Sequence, residues 1–258
     1  LMKAFGGLKA INKVDFELPK NEIRGIIGPN GSGKSTFFNL VSGVYDPDPG
    51  SFIEFDGKDI TNEPPHKVGE LGLARTFQLL RLYQDMSVIN NVMSGYHTLV
   101  PYSFIDAVTG RKKIWDQEKV IKEEMMELLS FVGLADYAEL NASELSGGQR
   151  RLLVLARAIA GKPKLLMLDE PAAGLSPVNV DNLMKILLQL KEKYGLTLII
   201  IEHILKVVMS TCNKVTVLDH GVKIAEGTPS QVKDDKNVIE AYLGKKMDDE
   251  EMRKALAV

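Results

Sequence analysis

The sequence predicts an α/β chain, a mixed β core with an α-helical subdomain inserted into it. Two apolar patterns predict this. Lys164–Asp169 and Leu196–Glu202 hold short continuous apolar runs, the form taken by a parallel strand buried on both faces. Between about Leu79 and Gly161 the spacing changes. Ile121, Met125, Leu128, Leu129 and Val132 recur at helical intervals, and no clear strand interrupts them. The 258 residues suffice for one sizeable core with a satellite of this kind. The chain is therefore divided into a β-rich core at about 1–78 and 162–258 and a helical subdomain at about 79–161.

The elements follow in order. Val14, Phe16 and Leu18 alternate with polar residues, which predicts a half-buried strand. Pro19–Glu22 is a turn, and Ile23–Ile27 is a strand that runs directly into a glycine-rich segment. A helix follows from about Gly33 to Ser42, with Gly43 as its stop. Phe52–Phe55 is a short strand closed by Asp56-Gly57. Pro101–Lys113 is read as a loop. Ser146 caps a helix over Gln149–Ala160, which Gly161 and Pro163 end. Ser176-Pro177 starts another, whose apolar face is Val180, Leu183, Met184, Leu187 and Leu190 and whose stop is Gly195. His220-Gly221 is a two-residue hairpin turn between Lys214–Leu218 and Val222–Ala225. The tail Lys245–Lys254 is densely charged, a solvated helix or a frayed end.

Composition narrows the class. With 45% apolar and 26% charged residues, the chain is not an intrinsically disordered one. A net charge of −2 gives no bulk reason to bind nucleic acid. One cysteine, Cys212, fits a reducing compartment. The longest apolar runs fall far below the ~20 residues needed to cross a bilayer. Lys3 is followed by glycines and not by the apolar core of a signal peptide. The expectation is a protein that neither is secreted nor spans a membrane, and that can dock on one that does.

Three motifs carry chemistry. Gly28-Pro29-Asn30-Gly31-Ser32-Gly33-Lys34-Ser35, with Thr36 behind it, fits G-x-x-x-x-G-K-[ST] between a strand and a helix. Glycines let successive N–H groups turn inward as an anion nest, and the helix N-terminus adds partial positive charge. Lys34 supplies a full charge for the β and γ phosphates of a nucleotide, and Ser35 offers a hydroxyl to Mg2+. The second motif is the apolar strand ending in Asp169-Glu170. Asp169 is read as a Mg2+ ligand acting through water, because Mg2+ dehydrates reluctantly. Glu170 is read as pointing the other way, since side chains alternate along a strand, and as polarising the attacking water. Without the upstream cradle, such a carboxylate pair reads as a helix cap or surface turn.

The third motif is Leu145-Ser146-Gly147-Gly148-Gln149-Arg150. Ser146 opens a helix whose exposed N–H groups make a second anion site. Two phosphate-binding devices in one chain suit a head-to-tail dimer, in which each nucleotide is sandwiched between the cradle of one copy and the Ser146 helix of the other.

The order of cradle, Gln78, Leu145–Gln149, Asp169-Glu170 and His203 resembles the ATP-binding-cassette (ABC) ATPases over essentially the whole chain. The resemblance implies the P-loop NTPase fold of that cassette, ATP as the nucleotide and Mg2+ as cofactor. It implies that Gln78 senses Mg2+ at the joint with the helical subdomain, that His203 contacts the γ-phosphate, and that Phe5 stacks on adenine. The alternative for Phe5 is a core aromatic. Two departures stand out. Ser176 occupies the place of an Asp that usually reaches across the dimer. A strand that normally precedes Phe5 has no counterpart, so the start is trimmed or that sheet edge is short.

A finer resemblance, to the ATPase subunits of branched-chain amino-acid importers, rests on Phe5–Ala10, Ala74-Arg75-Thr76-Phe77-Gln78, Met86-Ser87-Val88, Asn90-Asn91-Val92, Ile201-Glu202-His203 and Ala241-Tyr242-Leu243-Gly244. It implies a peripheral protein on the cytoplasmic face of the plasma (inner) membrane. Its partners would be a second cassette, identical or related, two transmembrane permease subunits and, indirectly, an extracytoplasmic substrate-binding protein. Leu80, Leu82, Tyr83 and Met86 then line the groove for a coupling helix of the permease, or else belong to the helical core. In the implied cycle, ATP joins two cassettes, Glu170 assists hydrolysis, and His203 and Lys34 stabilise the transferred phosphoryl group. Competing assignments are the cassette of a urea or amide importer or of a lipopolysaccharide-type exporter. A soluble non-transport cassette ATPase usually carries two cassettes or long insertions, and a small-molecule kinase has no use for Leu145–Gln149.

Overall fold

The computed structural model describes residues 1–76, 82–96 and 112–243. A hairpin of β1 (Lys3–Phe5) and β2 (Leu8–Ile11) leads to β3 (Ile23–Ile27) and α1 (Lys34–Val41). A second hairpin, β4 (Glu54–Phe55) and β5 (Lys58–Asp59), precedes α2 (Pro65–Glu70) and β6 (Leu73–Arg75). Three long helices follow: α3 (Val88–Tyr96), α4 (Lys112–Phe131) and α5 (Gly147–Ala160). The chain then alternates through β7 (Leu165–Asp169), α6 (Pro177–Tyr194), β8 (Thr197–Ile201) and α7 (Leu205–Thr211). It closes with β9 (Lys214–Asp219), β10 (Val222–Gly227), α8 (Pro229–Lys233) and α9 (Lys236–Leu243).

Six strands form one sheet in the order β10-β9-β3-β8-β7-β6, parallel except for the β10–β9 hairpin. This is the mixed sheet that the sequence predicts. Every residue of β3 and β8 is buried, because helices cover both faces. The pleat sorts the side chains. Ile23, Ile27, Leu166, Leu168, Leu198 and Ile200 face α6, α7 and the three long helices. Ile26, Leu165, Met167, Ile199 and Ile201 face α1, meeting Phe37, Phe38 and Leu40. Ile121, Met125, Leu128, Leu129 and Val132 are all buried where α4 packs against α3 and α5.

α6 begins and ends where its sequence says. The Ser176 hydroxyl accepts from the Asn179 N–H, Pro177 occupies the first turn, and Gly195 takes a left-handed conformation (φ 61°) at the end. Its buried face is Val180, Leu183, Ile186, Leu187 and Leu190, with Met184 half-buried beside it.

Several expectations need correction. Val14, Phe16 and Leu18 do turn inward in alternation, but Val14–Leu18 forms no strand. Its backbone is held through Leu1 at Val14 alone, and a period of two reports burial and not pairing. Phe52–Phe55 shrinks to Glu54–Phe55, with Ile53 still bonded to the Ile60 N–H beyond β5. Lys3–Phe5 is itself a strand, three residues long and paired with β2, which the sequence pattern does not predict. α5 starts at Gly147 and not Gln149, because Ser146 caps it directly. Lys112 and Lys113, read as the end of a loop, open α4. The rest of that loop, and the charged tail, lie outside the described residues.

Candidate functional site

β3, β8 and β7 are neighbours in the sheet, and each delivers part of one site from its C-terminal end, where α/β folds place ligands. From β3 comes the glycine-rich loop. At Gly28 (φ 151°) a Cβ would lie 2.0 Å from the carbonyl oxygen of Leu218 on β9, so the loop can take this path only without a side chain. A Cβ on Gly31 would meet nothing within 4 Å, which leaves that side of the loop open to a ligand. Lys34 opens α1 and is almost wholly buried; its Nζ donates to the carbonyl oxygens of Gly28 (2.7 Å) and Pro29 (2.9 Å) and to Ser32 Oγ (3.5 Å). Burial lowers the Lys34 pKa, against the nearby carboxylates of Glu170 and Asp169, which raise it. Ser35 and Asn30 are exposed on the same loop, while Pro29 and Thr36 are half-buried.

The β1–β2 hairpin packs beside this loop. A Cβ on Gly33 would lie 2.5 Å from the Ala10 carbonyl oxygen, and the Asn12 N–H donates to Gly221 O (2.8 Å) at the β9–β10 turn. Phe5 ends β1 with 45% of its surface exposed and its ring edge-on to Tyr45 at 5.4 Å. It is not a core aromatic.

From β7 come the two carboxylates. Asp169 Oδ2 lies 3.3 Å from the Arg75 guanidinium at the end of β6, and Arg75 also donates to Asn39 Oδ1 (2.7 Å) and Ser42 Oγ (3.0 Å) of α1. Burial raises the Asp169 carboxyl above its ordinary pKa, and Arg75 opposes that. Glu170 diverges from Asp169 for a reason other than strand alternation. It has already left β7 and holds a left-handed backbone (φ 49°), uncommon for a residue with a side chain. Its N–H donates to Ile201 O of β8 (2.9 Å), and its carbonyl accepts from Arg151 of α5 (3.2 Å).

His203 follows β8, and its Nε2 lies 3.1 Å from Glu170 Oε1. Glu202, between β8 and His203, is buried. Its carboxylate accepts from the backbone N–H groups of Ala172 (2.6 Å), His203 (3.1 Å) and Ile204 (3.4 Å). Burial raises its pKa, while those three donors pull it back.

Ser146 and Gln149 form a reciprocal capping box at the start of α5: the Ser146 N–H donates to Gln149 Oε1 (2.9 Å), and the Gln149 N–H to Ser146 Oγ (3.4 Å). Ser146 and Gly147 are exposed, and Gly148 packs against Asn179 of α6. Gln78 and Leu80 lie outside the described residues. Leu82 packs on the helical core, whereas Tyr83 and Met86 are exposed.

Arg75 and Glu202 were not singled out from the sequence as site residues. The available signal was the same for both, a charged residue at the end of a buried apolar run, as at Asp169. A cleft of about 910 Å³ between Phe16, Phe37, Phe52 and Tyr194 contains neither the glycine-rich loop nor the carboxylates.

The glycine-rich loop, Asp169-Glu170 and His203 gather at the ends of three adjacent parallel strands, as the P-loop NTPase fold places such segments. The chain belongs to the ABC transporter family, whose model matches residues 11–173, and is an ABC ATPase that binds adenine nucleotide. A second model, the branched-chain amino acid ATP-binding cassette transporter, matches residues 222–247. The chain is 37% identical to the high-affinity branched-chain amino acid transport ATP-binding protein BraF of Pseudomonas aeruginosa, over 95% of both proteins. It is 41% identical to a probable branched-chain amino acid transport ATP-binding protein LivG of Archaeoglobus fulgidus, over 95% of this chain and 93% of that one. Among solved structures it resembles the ADP conformation of MJ1267, an ATP-binding cassette of an ABC transporter, with a TM-score of 0.81 and 35% identity over 95% and 96% of the two chains.

Proposed function

We propose that this chain powers the import of branched-chain amino acids by hydrolysing ATP in a head-to-tail pair of cassettes seated on two membrane permease subunits. One observation supports the hydrolytic part above all: Lys34, Asp169, Glu170 and His203 converge from three adjacent strands, with Glu170 and His203 3.1 Å apart. The names of the relatives support the solute.

In this reading the backbone of Gly28–Gly33 and Lys34 hold the phosphates, and Phe5 offers an exposed ring to adenine. Ser35 and Asp169 present the oxygen donors that suit Mg2+, with Gln78 as a third, and the ion neutralises charge on the phosphates when bound. Arg75 fixes the Asp169 carboxylate. Glu170 accepts a proton from the attacking water, and His203 orients Glu170 and contacts the γ-phosphate. Ser146, Gly147, Gly148 and Gln149 of a partner cassette close the nucleotide from the other side. Tyr83 and Met86 are exposed toward a permease helix, and the β-rich part (about 1–78 and 162–258) and helical part (about 79–161) divide catalysis from docking. No helix among the described residues is long and apolar enough to cross a membrane.

Affinity purification of the tagged chain from native membranes tests the reading. Two hydrophobic permease subunits and a second cassette are expected to copurify. A chain recovered without a membrane partner overturns the transport assignment and leaves the ATPase.

A further inference from the structure

We infer that Glu202 is a positioning residue for hydrolysis: one buried carboxylate ties the loop of Glu170 to the loop of His203 and sets the 3.1 Å approach of that pair. The inference rests on reading Glu170 and His203 as the hydrolytic pair.

Glu202 is 2% exposed, and the contacts to its carboxylate come from backbone N–H groups on two separate loops. Burying a charge is costly, and a residue that served packing alone at the end of β8 would be apolar, like the four before it. The donors explain its presence. Ala172, on Oε1, stands two residues after Glu170, while His203 and Ile204, on Oε2, form the turn that carries the imidazole. Hydrogen bonds to an ionised acceptor are about twice as strong as neutral ones. Glu170 also has a left-handed backbone, a conformation that persists only where its surroundings over-determine it. Its anchors include its own N–H bonded to Ile201 O, its carbonyl bonded by Arg151 and by the Ala173 N–H, and Ala172 bonded to Glu202 after the turn. The His203 side chain is 41% exposed, so its place is set by its backbone more than by packing.

Steady-state ATP hydrolysis by the full chain carrying Glu202→Gln tests this. The amide keeps the size but turns an NH2 toward one of the two loops, where donor faces donor. A displacement of that order is expected to lower kcat about tenfold, with KM for ATP unchanged within about twofold because the cradle is untouched. The drop is expected to vanish in a His203→Ala background, since two residues acting through one another are not additive. A mere loss of folded protein multiplies with any second substitution. The inference is overturned if the same factor reappears in the His203→Ala background, or if E202Q turns over within about twofold of the unsubstituted chain. Should E202Q not fold, Glu202→Asp carries the test. It keeps the charge and the His203 turn but falls short of Ala172, and unchanged turnover overturns the inference. Glu170→Gln and His203→Ala alone are the controls: if either hydrolyses ATP at the unsubstituted rate, the hydrolytic reading fails, and this inference with it.

Discussion

Gly28 has no side chain because Leu218 leaves no room for one. The obstacle is a carbonyl oxygen of the central sheet, 2.0 Å from where a Cβ would sit, and it cannot rotate away. Gly28→Ala must therefore lift the loop off β9, displacing the carbonyl that holds Lys34 Nζ. ATP affinity, measured by fluorescent-nucleotide titration, is expected to fall at least about tenfold, as befits the loss of one to two kcal/mol of preorganised contact. Residues of this kind were legible in the sequence, because the loop is one contiguous segment whose chemistry is local. Arg75 and Glu202 were less so, because each has a partner far along the chain: Arg75 meets Asp169 across 94 positions and Glu202 meets Ala172 across 30. The local signal, a charge at the end of an apolar run, does not say what that charge will meet.

At the scale of elements, the same division holds. β7 and β8 were legible because strands buried on both faces hold continuous apolar runs, and α6 because its cap, first-turn proline and terminal glycine are each local signals. β6 is three residues long and was missed; its register with β7, Leu73 opposite Leu165, exists only in the assembled sheet. Val14–Leu18 shows the converse, a strand-like pattern without a strand. The end of α6 allows a clean measurement of a signal that was read correctly. Gly195 has φ 61° with nothing within 4 Å of a Cβ, so Gly195→Ala adds backbone strain without a clash. A left-handed alanine costs about 1 kcal/mol, which in a chain of this size lowers Tm by about 2–4 °C. Thermal unfolding should show that shift, while ATP turnover stays unchanged. Gly195 precedes the N-terminal end of β8, and the site lies at the other end, about 17 Å away for a strand of five residues.

For the whole molecule, the sequence disclosed two phosphate-binding devices, and the fold sets them on different parts. Lys34 and its loop follow a strand of the sheet, whereas Ser146 is exposed and caps α5. The capping box satisfies part of the α5 N-terminus internally, and the proposed sandwich assigns the N–H groups left over to a phosphate brought by another copy. Binding of that kind is strongest when ATP persists. Glu170→Gln removes the base while keeping the shape of the side chain beside His203, so the closed pair should accumulate instead of turning over. On a sizing column with saturating ATP and Mg2+, E170Q is expected to elute as a dimer and, with ATP withdrawn, as a monomer. Adding Lys34→Ala to the same chain is expected to abolish the ATP-dependent shift, because the nucleotide is the glue and the cradle its grip. If E170Q stays monomeric with ATP bound, the second anion site serves something other than a partner's nucleotide, and the sandwich reading is wrong for this chain.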